Sequence, residues 1–91
     1  MNYNVYILIS LKDNQFYTGY SANLHNRIAY HKKGLVKSTV NRRPLKLLFY
    51  EVYNNKIDAQ RREKYFKTNE GKKTLKLMLR QTLKNHKNVK S

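Results

Sequence analysis

An α+β domain, with a small three-stranded antiparallel sheet flanked by helices, is what this sequence predicts. Three observations point to it. Residues 4–10 and 45–53 are short runs that are apolar on both faces, the pattern of strands covered from two sides. The elements read in the order β-β-α-β-α-α, which fits helices layered on a sheet. At 91 residues the chain favours one domain. A chain of that size buries only about 60–65% of its unfolded surface, so it supports one modest core.

The first strand, NVYILIS, places Val5, Ile7 and Ile9 on one face and Tyr6 and Leu8 on the other. LKDNQ follows as a hairpin connection, with Asp13 and Asn14 as turn formers. In the second strand, FYTGY, Phe16, Thr18 and Tyr20 point one way and Tyr17 and Gly19 the other. Ser21 is suited to cap a helix from Ala22 to about Lys32, in which Leu24, Ile28 and His31 fall at helical spacing, and Gly34 ends it. Residues 35–44 read as a basic loop closing at Pro44, and LKLLFYEVY (45–53) as the third strand. Asn54 or Asn55 caps a helix from about Lys56 to Lys67, with Ala59, Glu63 and Phe66 on one face. TNEG (68–71) breaks that helix. A last helix runs from about Lys72 to Lys84, its stripe of Leu75, Met78, Leu79 and Leu83 belonging to the core. The domain is expected over residues 1–84, with a basic flexible tail at 85–91.

Charge narrows the function. Lys and Arg number 20 against 5 Asp and Glu, a formal net charge of +15. Such an imbalance points to a polyanion, nucleic acid before a membrane surface. No helix combines a large basic face with aromatic anchors, and no segment approaches the ~20 apolar residues of a membrane span, so no membrane role is expected. The absence of cysteine excludes disulfides and thiolate metal sites. The start MNYNVYILIS has no basic lead and too short an apolar run for a secretory signal, so a cytoplasmic location is expected.

Five scattered carboxylates cannot supply the converging cluster of a two-metal nuclease, but one carboxylate with several waters suffices for a single Mg²⁺. Glu63, in mid-helix and facing the body of the protein, is the candidate. The alternative is an ordinary ion pair with Arg62, Lys67 or another cation. Arg27 and His31 lie one turn apart on a helix flank. Arginine offers a planar fork for phosphate oxygens and histidine a proton near neutral pH; the alternative is a solvated helix face. Tyr6 and Tyr17 can share one face of a hairpin, near the helix that carries Arg27. A phenol with pKa about 10 is a poor base without a cation beside it. Gly19 suits close approach, of a side chain or a ligand phosphate, or else a bulge.

Taken together, VYI (5–7), YTG (17–19), Arg27 with His31, and REKYFK (62–67) resemble the GIY-YIG nuclease family over roughly residues 2–80. NVY (4–6) stands in the place of Gly-Ile-Tyr, and Tyr17-Thr18-Gly19 in that of Tyr-Ile-Gly; Asn4 and Thr18 are departures at positions that carry no chemistry. The resemblance is closest to short stand-alone bacterial members similar to the nuclease domain of the excision-repair incision protein, which suggests DNA repair. It implies metal-dependent hydrolysis of nucleic-acid phosphodiesters, DNA foremost, with Mg²⁺ or Mn²⁺. Glu63 matches the family's metal-binding glutamate, Arg27 its phosphate-holding arginine, and Tyr6 and Tyr17 its motif tyrosines, one of which activates water. His31 stands where members carry a His or Tyr at the same centre, and Gly19 matches the glycine that lets the strand approach the site.

Gly19, Lys37, Arg42, Arg43, Lys46, Lys72, Lys73 and Lys76 are the expected nucleic-acid contacts, with Arg80, Lys84 and Lys87 continuing the basic line. Such contacts give affinity without sequence preference. The chain has no second module to read bases. Low sequence specificity or structure selectivity is therefore expected, or specificity borrowed from a protein partner. The alternative function is a non-catalytic nucleic-acid-binding protein that keeps the fold.

Overall fold

The computed structural model describes residues 2–90, with side chains as far as His86. Three strands, β1 (Tyr3–Ser10), β2 (Phe16–Ser21) and β3 (Leu45–Tyr53), form one antiparallel sheet in the order β2-β1-β3. The described residues form four helices: α1 (Leu24–Lys33), α2 (Lys56–Lys67), α3 (Asn69–Met78) and α4 (Arg80–Lys90). A single 3-10 turn, Val40–Arg42, interrupts the loop before β3.

β1 is the central strand, and every residue from Asn4 to Ser10 is buried. Its alternation divides the interior in two. Val5 and Ile7 pack with Ala59 and Phe66 of α2, Leu75 of α3, and Leu79. Tyr6 and Leu8 pack with Leu45, and Tyr17, Leu24, Ile28 and Leu47 close over them from β2, α1 and β3. Burial of a side chain such as Phe66 or Leu75 contributes about 1.5–3 kcal/mol, so the α2–α3 side carries most of the apolar stabilisation. β3 is apolar on both faces in sequence but lies at an edge, and Tyr50 and Val52 are half exposed. A bulge accommodates one extra residue in β3, where Ile7 pairs with Phe49 and Leu8 with Leu47.

Local capping departs from expectation at the start of α1. β2 pairs with β1 as far as Ser21, opposite Asn4, so Ser21 is still extended. Asn23 caps α1 instead, accepting from the Asn26 N–H at 3.2 Å, while Ser21 Oγ accepts from Asn23 N–H at 2.9 Å. Gly34 ends α1 in the left-handed conformation, and Asn55 caps α2, both as the sequence predicts.

Thr68 makes the α2–α3 break. It ends α2 and caps α3 through a 3.0 Å bond from Gly71 N–H to its Oγ1. Gly71 therefore sits inside the helix, where a Cβ would run into the backbone carbonyl of Tyr65. The glycine lets α3 fold back tightly on the end of α2. The single helix expected over 72–84 is two helices joined at Leu79, whose backbone (φ −103°, ψ 18°) leaves the helical region. Leu75, Leu79 and Leu83 pack inward, whereas Met78 is exposed. α4 then carries helix through the segment expected as a tail; Ser91 and the side chain of Lys87 lie outside the described residues. Among the described residues no helix is long and apolar enough to cross a membrane.

Candidate active site

Tyr6 is the centre of a polar cluster on the α1 side of the sheet. Its Cα partner on β2 is Gly19. The Tyr6 ring lies across that glycine so closely that a Cβ there would overlap Cζ and Oη. Of the two kinds of close approach the sequence allowed at Gly19, the structure has the side chain. Gly19 is buried beneath the Tyr6 ring.

Passing over β2, the Tyr6 hydroxyl reaches His31 Nε2 at 2.7 Å. His31 comes from the last turn of α1 and is fully buried; its Nδ1 is 2.7 Å from Oγ1 of Thr39, which is also fully buried. Tyr17, on the same face of β2, completes the group. Its ring centroid is 5.1 Å from that of His31, edge to face, and 6.4 Å from that of Tyr6. Its hydroxyl has a weak contact at 3.5 Å with Ser38 Oγ.

Arg27, one turn before His31, acts on both partners. Burial pushes the Tyr6 phenol up to about 12, and Arg27 opposes this as a nearby donor and as a positive charge, while Tyr17 and Glu63 reinforce the rise. His31 is pushed down to about 4, first by burial and then by the Arg27 charge, so its ring is neutral near pH 7. A neutral ring carries one N–H and one lone pair.

Glu63 comes from α2, whose Ala59 and Phe66 are buried against the opposite face of the sheet. Its carboxylate is partly accessible, at 22% exposure, and its charge is felt at the Tyr6 phenol. It also pairs with Lys67 at 3.2 Å, so one of the ion pairs open on sequence grounds is present. Arg62, another candidate partner for Glu63, instead holds Glu51 through two bonds of 2.9 and 3.1 Å and lies over the Phe66 ring.

No group of three or more His, Cys, Asp or Glu converges among the described residues. Glu63 is a hard, accessible oxygen ligand, which fits a Mg²⁺ or Mn²⁺ ion held by one carboxylate, water and substrate oxygens. The donor set does not fit zinc, which wants three or four protein ligands.

The expected nucleic-acid contacts separate into two regions. The loop of residues 35–44 carries Lys37, Arg42 and Arg43. Lys37 and Arg43 are exposed, whereas Arg42 is half-buried and donates to Phe16 O at 3.2 Å. Arg43 also donates to Val40 O at 3.0 Å. Lys46 is exposed at the start of β3. The remaining cations, Lys72, Lys73 and Lys76, are exposed on α3. Lys72 and Lys76 border a groove of about 590 Å³ whose floor includes Ile9, Phe16 and Leu83. Phe16 and Leu83 pack on the α2–α3 side, so this groove opens on the face of the sheet away from Tyr6.

Thr39 and Ser38 are functional candidates that sequence reasoning missed, because a threonine and a serine in a basic loop carry no distinguishing pattern. The one signal was His31 itself. A histidine at the spacing of Leu24 and Ile28 faces inward, and a buried ring needs a partner for each nitrogen.

Comparison with known proteins gives the family and the fold. The family model described as the GIY-YIG catalytic domain matches residues 2–76. A UPF0213 protein of Staphylococcus haemolyticus is 43% identical over 81% of this chain and 90% of its own length. A UPF0213 protein of Clostridium perfringens is 42% identical over 92% of this chain and 89% of its own. The solution NMR structure of a UPF0213 protein from Bacillus halodurans superposes with a TM-score of 0.55 at 34% identity, covering 86% of this chain and 85% of that one.

Proposed function

The chain belongs to the GIY-YIG catalytic-domain family, a nuclease family, and on that premise we propose that it is a Mg²⁺- or Mn²⁺-dependent endonuclease acting on DNA with low sequence specificity. The observation that carries this reading is the convergence of Tyr6, Tyr17 and His31 at one point, under the charge of Arg27 and within the field of Glu63. Phosphodiester hydrolysis needs an acceptor for the proton of the attacking water and positive charge where the pentavalent phosphate gathers negative charge.

Arg27 is the phosphate clamp. Its planar fork matches two phosphate oxygens and keeps its charge at any working pH. The environments of the two phenols favour different roles. Burial holds the Tyr6 phenol protonated, but Arg27 opposes that push and His31 bonds the same oxygen, and on those two contacts Tyr6 is assigned as the proton acceptor. Tyr17 is half-buried and its hydroxyl has a weak partner in Ser38, which suits it to orienting water. Glu63 is the residue that would hold the divalent cation, and Lys67 would have to release it. Such a cation supplies Lewis-acid charge against the phosphoryl oxygens.

Affinity would come from the cations around the site and along α3, which contact phosphates and read no sequence. Selectivity would then rest on the structure of the nucleic acid or on a protein partner.

Incubation of the full chain with single-stranded, duplex and branched DNA and with RNA, in Mg²⁺, Mn²⁺ and EDTA, tests the reading. Metal-stimulated cleavage of DNA is expected, and Glu63→Ala should abolish it while nucleic-acid binding is kept or improved. Normal cleavage by Glu63→Ala would reject Glu63 as the metal ligand. Binding without cleavage under every condition would leave a non-catalytic nucleic-acid-binding protein on this fold.

A further inference from the structure

Tyr6, His31 and Thr39 form a chain of two hydrogen bonds, each 2.7 Å, with all three side chains fully buried. With a neutral ring and a neutral phenol, the chain holds three protons: one on each hydroxyl and one on the imidazole. Two hydrogen bonds use two of them, so one hydroxyl proton is surplus and must point out of one end.

The ends are not equivalent. At the Thr39 end, Oγ1 has His31 as its only hydrogen-bond partner among the described residues, and a buried donor left without an acceptor costs on the order of 1–3 kcal/mol. At the Tyr6 end, the phenol oxygen lies beside the Arg27 guanidinium, whose donor and positive charge favour release of a proton there. A phenol is also a far stronger acid than an alkyl hydroxyl, so of the two ends Tyr6 is the one that can give up its proton during the reaction. Once Tyr6 is ionised, one arrangement alone satisfies every atom. Thr39 donates to Nδ1, and the Nε2–H of His31 donates to the phenolate. The opposite tautomer would set a lone pair of Nε2 against the phenolate oxygen.

We propose that Thr39 is a positioning residue: its hydroxyl donates to Nδ1 of His31 and so fixes that ring as an Nε2–H donor to the oxygen of Tyr6. The consequence for catalysis rests on the nuclease reading; the tautomer does not. The residues before β3 thus contribute more than phosphate contacts. They are fastened to the β1–β2 hairpin through Ser10 Oγ donating to Arg42 O at 2.7 Å and Leu11 N–H donating to Pro44 O at 2.8 Å. That attachment holds Thr39 against His31.

Long-range ¹H–¹⁵N correlation of histidine-labelled protein, without metal or nucleic acid, reads the tautomer directly. The expected spectrum has the His31 proton on Nε2 and a hydrogen-bonded, unprotonated Nδ1. In Thr39→Val the Nδ1 signal should leave its hydrogen-bonded position, and in Thr39→Ser it should stay. In the cleavage assay, Thr39→Val should lower kcat between about tenfold and a hundredfold, a part of what a general base contributes, with KM within about threefold. Thr39→Ser should restore the rate to within about threefold of the parent. A wild-type spectrum with the proton on Nδ1, or an unchanged kcat in Thr39→Val, overturns the proposal. If Thr39→Val does not fold, the wild-type spectrum and Thr39→Ser decide it. An Nε2–H ring in a protein that cleaves nothing would remove the nuclease reading and leave the assignment of Thr39 standing.

Discussion

On the face of the sheet covered by α2 and α3, β1 contributes Val5 and Ile7; on the face covered by α1 it contributes Tyr6 and Leu8. The first pair meets Ala59, Phe66, Leu75 and Leu79, all buried and all apolar. The second meets a smaller apolar group that also encloses His31 and Thr39, two fully buried polar residues. Neighbouring residues of one strand thus serve different ends. Hydrophobic burial, which is non-directional, is concentrated on one side. The other side holds directional contacts, a hydroxyl–imidazole–hydroxyl chain under the charge of Arg27. A small domain has too little interior to separate a structural core from a reactive site by distance. Here the apolar core and the phenol–imidazole part of the site lie on opposite faces of a single sheet, and Glu63 comes from α2.

Four perturbations probe this division. The largest effect is expected from Phe66→Ala, which should lose about 3–5 kcal/mol of stability. Denaturant unfolding measures that loss, and cleavage per folded molecule should be unchanged. A specific loss of catalysis in the folded variant would mean the two faces are coupled.

The next concerns acid. The folded His31 pKa, about 4, lies below its ordinary 6.5, so between those values the unfolded chain binds the extra proton. The stability contributed by keeping His31 neutral is complete above about pH 6.5 and declines as the pH falls toward 4, by up to roughly 3 kcal/mol. Unfolding midpoints measured across that range should show the decline, and His31→Asn should flatten it. A decline of the same size in the variant would assign it to other groups.

Arg27→Ala should lower turnover by about two or more orders of magnitude, as loss of a transition-state charge contact does, with little change in the unfolding midpoint. An effect confined to affinity would make Arg27 a docking residue. The smallest change is expected from Lys72→Ala or Lys76→Ala. Each should weaken binding evenly across sequences and reduce the salt slope by about one unit, without altering the chemical step. Unchanged salt dependence would show that nucleic acid does not reach the α3 side of the molecule.

Much of this division was legible in the residues. Alternation along 4–10 separated Val5 and Ile7 from Tyr6 and Leu8, and it placed Tyr17 on the side of Tyr6. The spacing of Leu24, Ile28 and His31 turned that histidine inward. Tertiary detail was not legible. Ser21 has the right chemistry for a helix cap, but strand pairing with Asn4 keeps it in β2 and leaves the cap to Asn23. The apolar stripe from Leu75 to Leu83 carries no mark of the break at Leu79. Gly71 reads as a helix breaker, yet it is the residue that lets two helices close together. Thr39 shows its partner only when the loop is folded back, because eight positions along an irregular segment imply no fixed direction. The ion pairs of Glu63 and Arg62 depended on which charged group the packing brought nearest, and composition does not determine that.

The position of Tyr6 in the central strand has one more consequence. Side chains in a strand alternate, so slipping β1 by one residue would bury Tyr6 among the α2 and α3 side chains and leave Val5 facing His31. The mispaired chain would lose the phenol that bonds Nε2 of His31. Assembly and reactivity therefore share a single checkpoint: a copy with β1 out of register would keep its cationic surface and lose the hydroxyl–imidazole–hydroxyl chain.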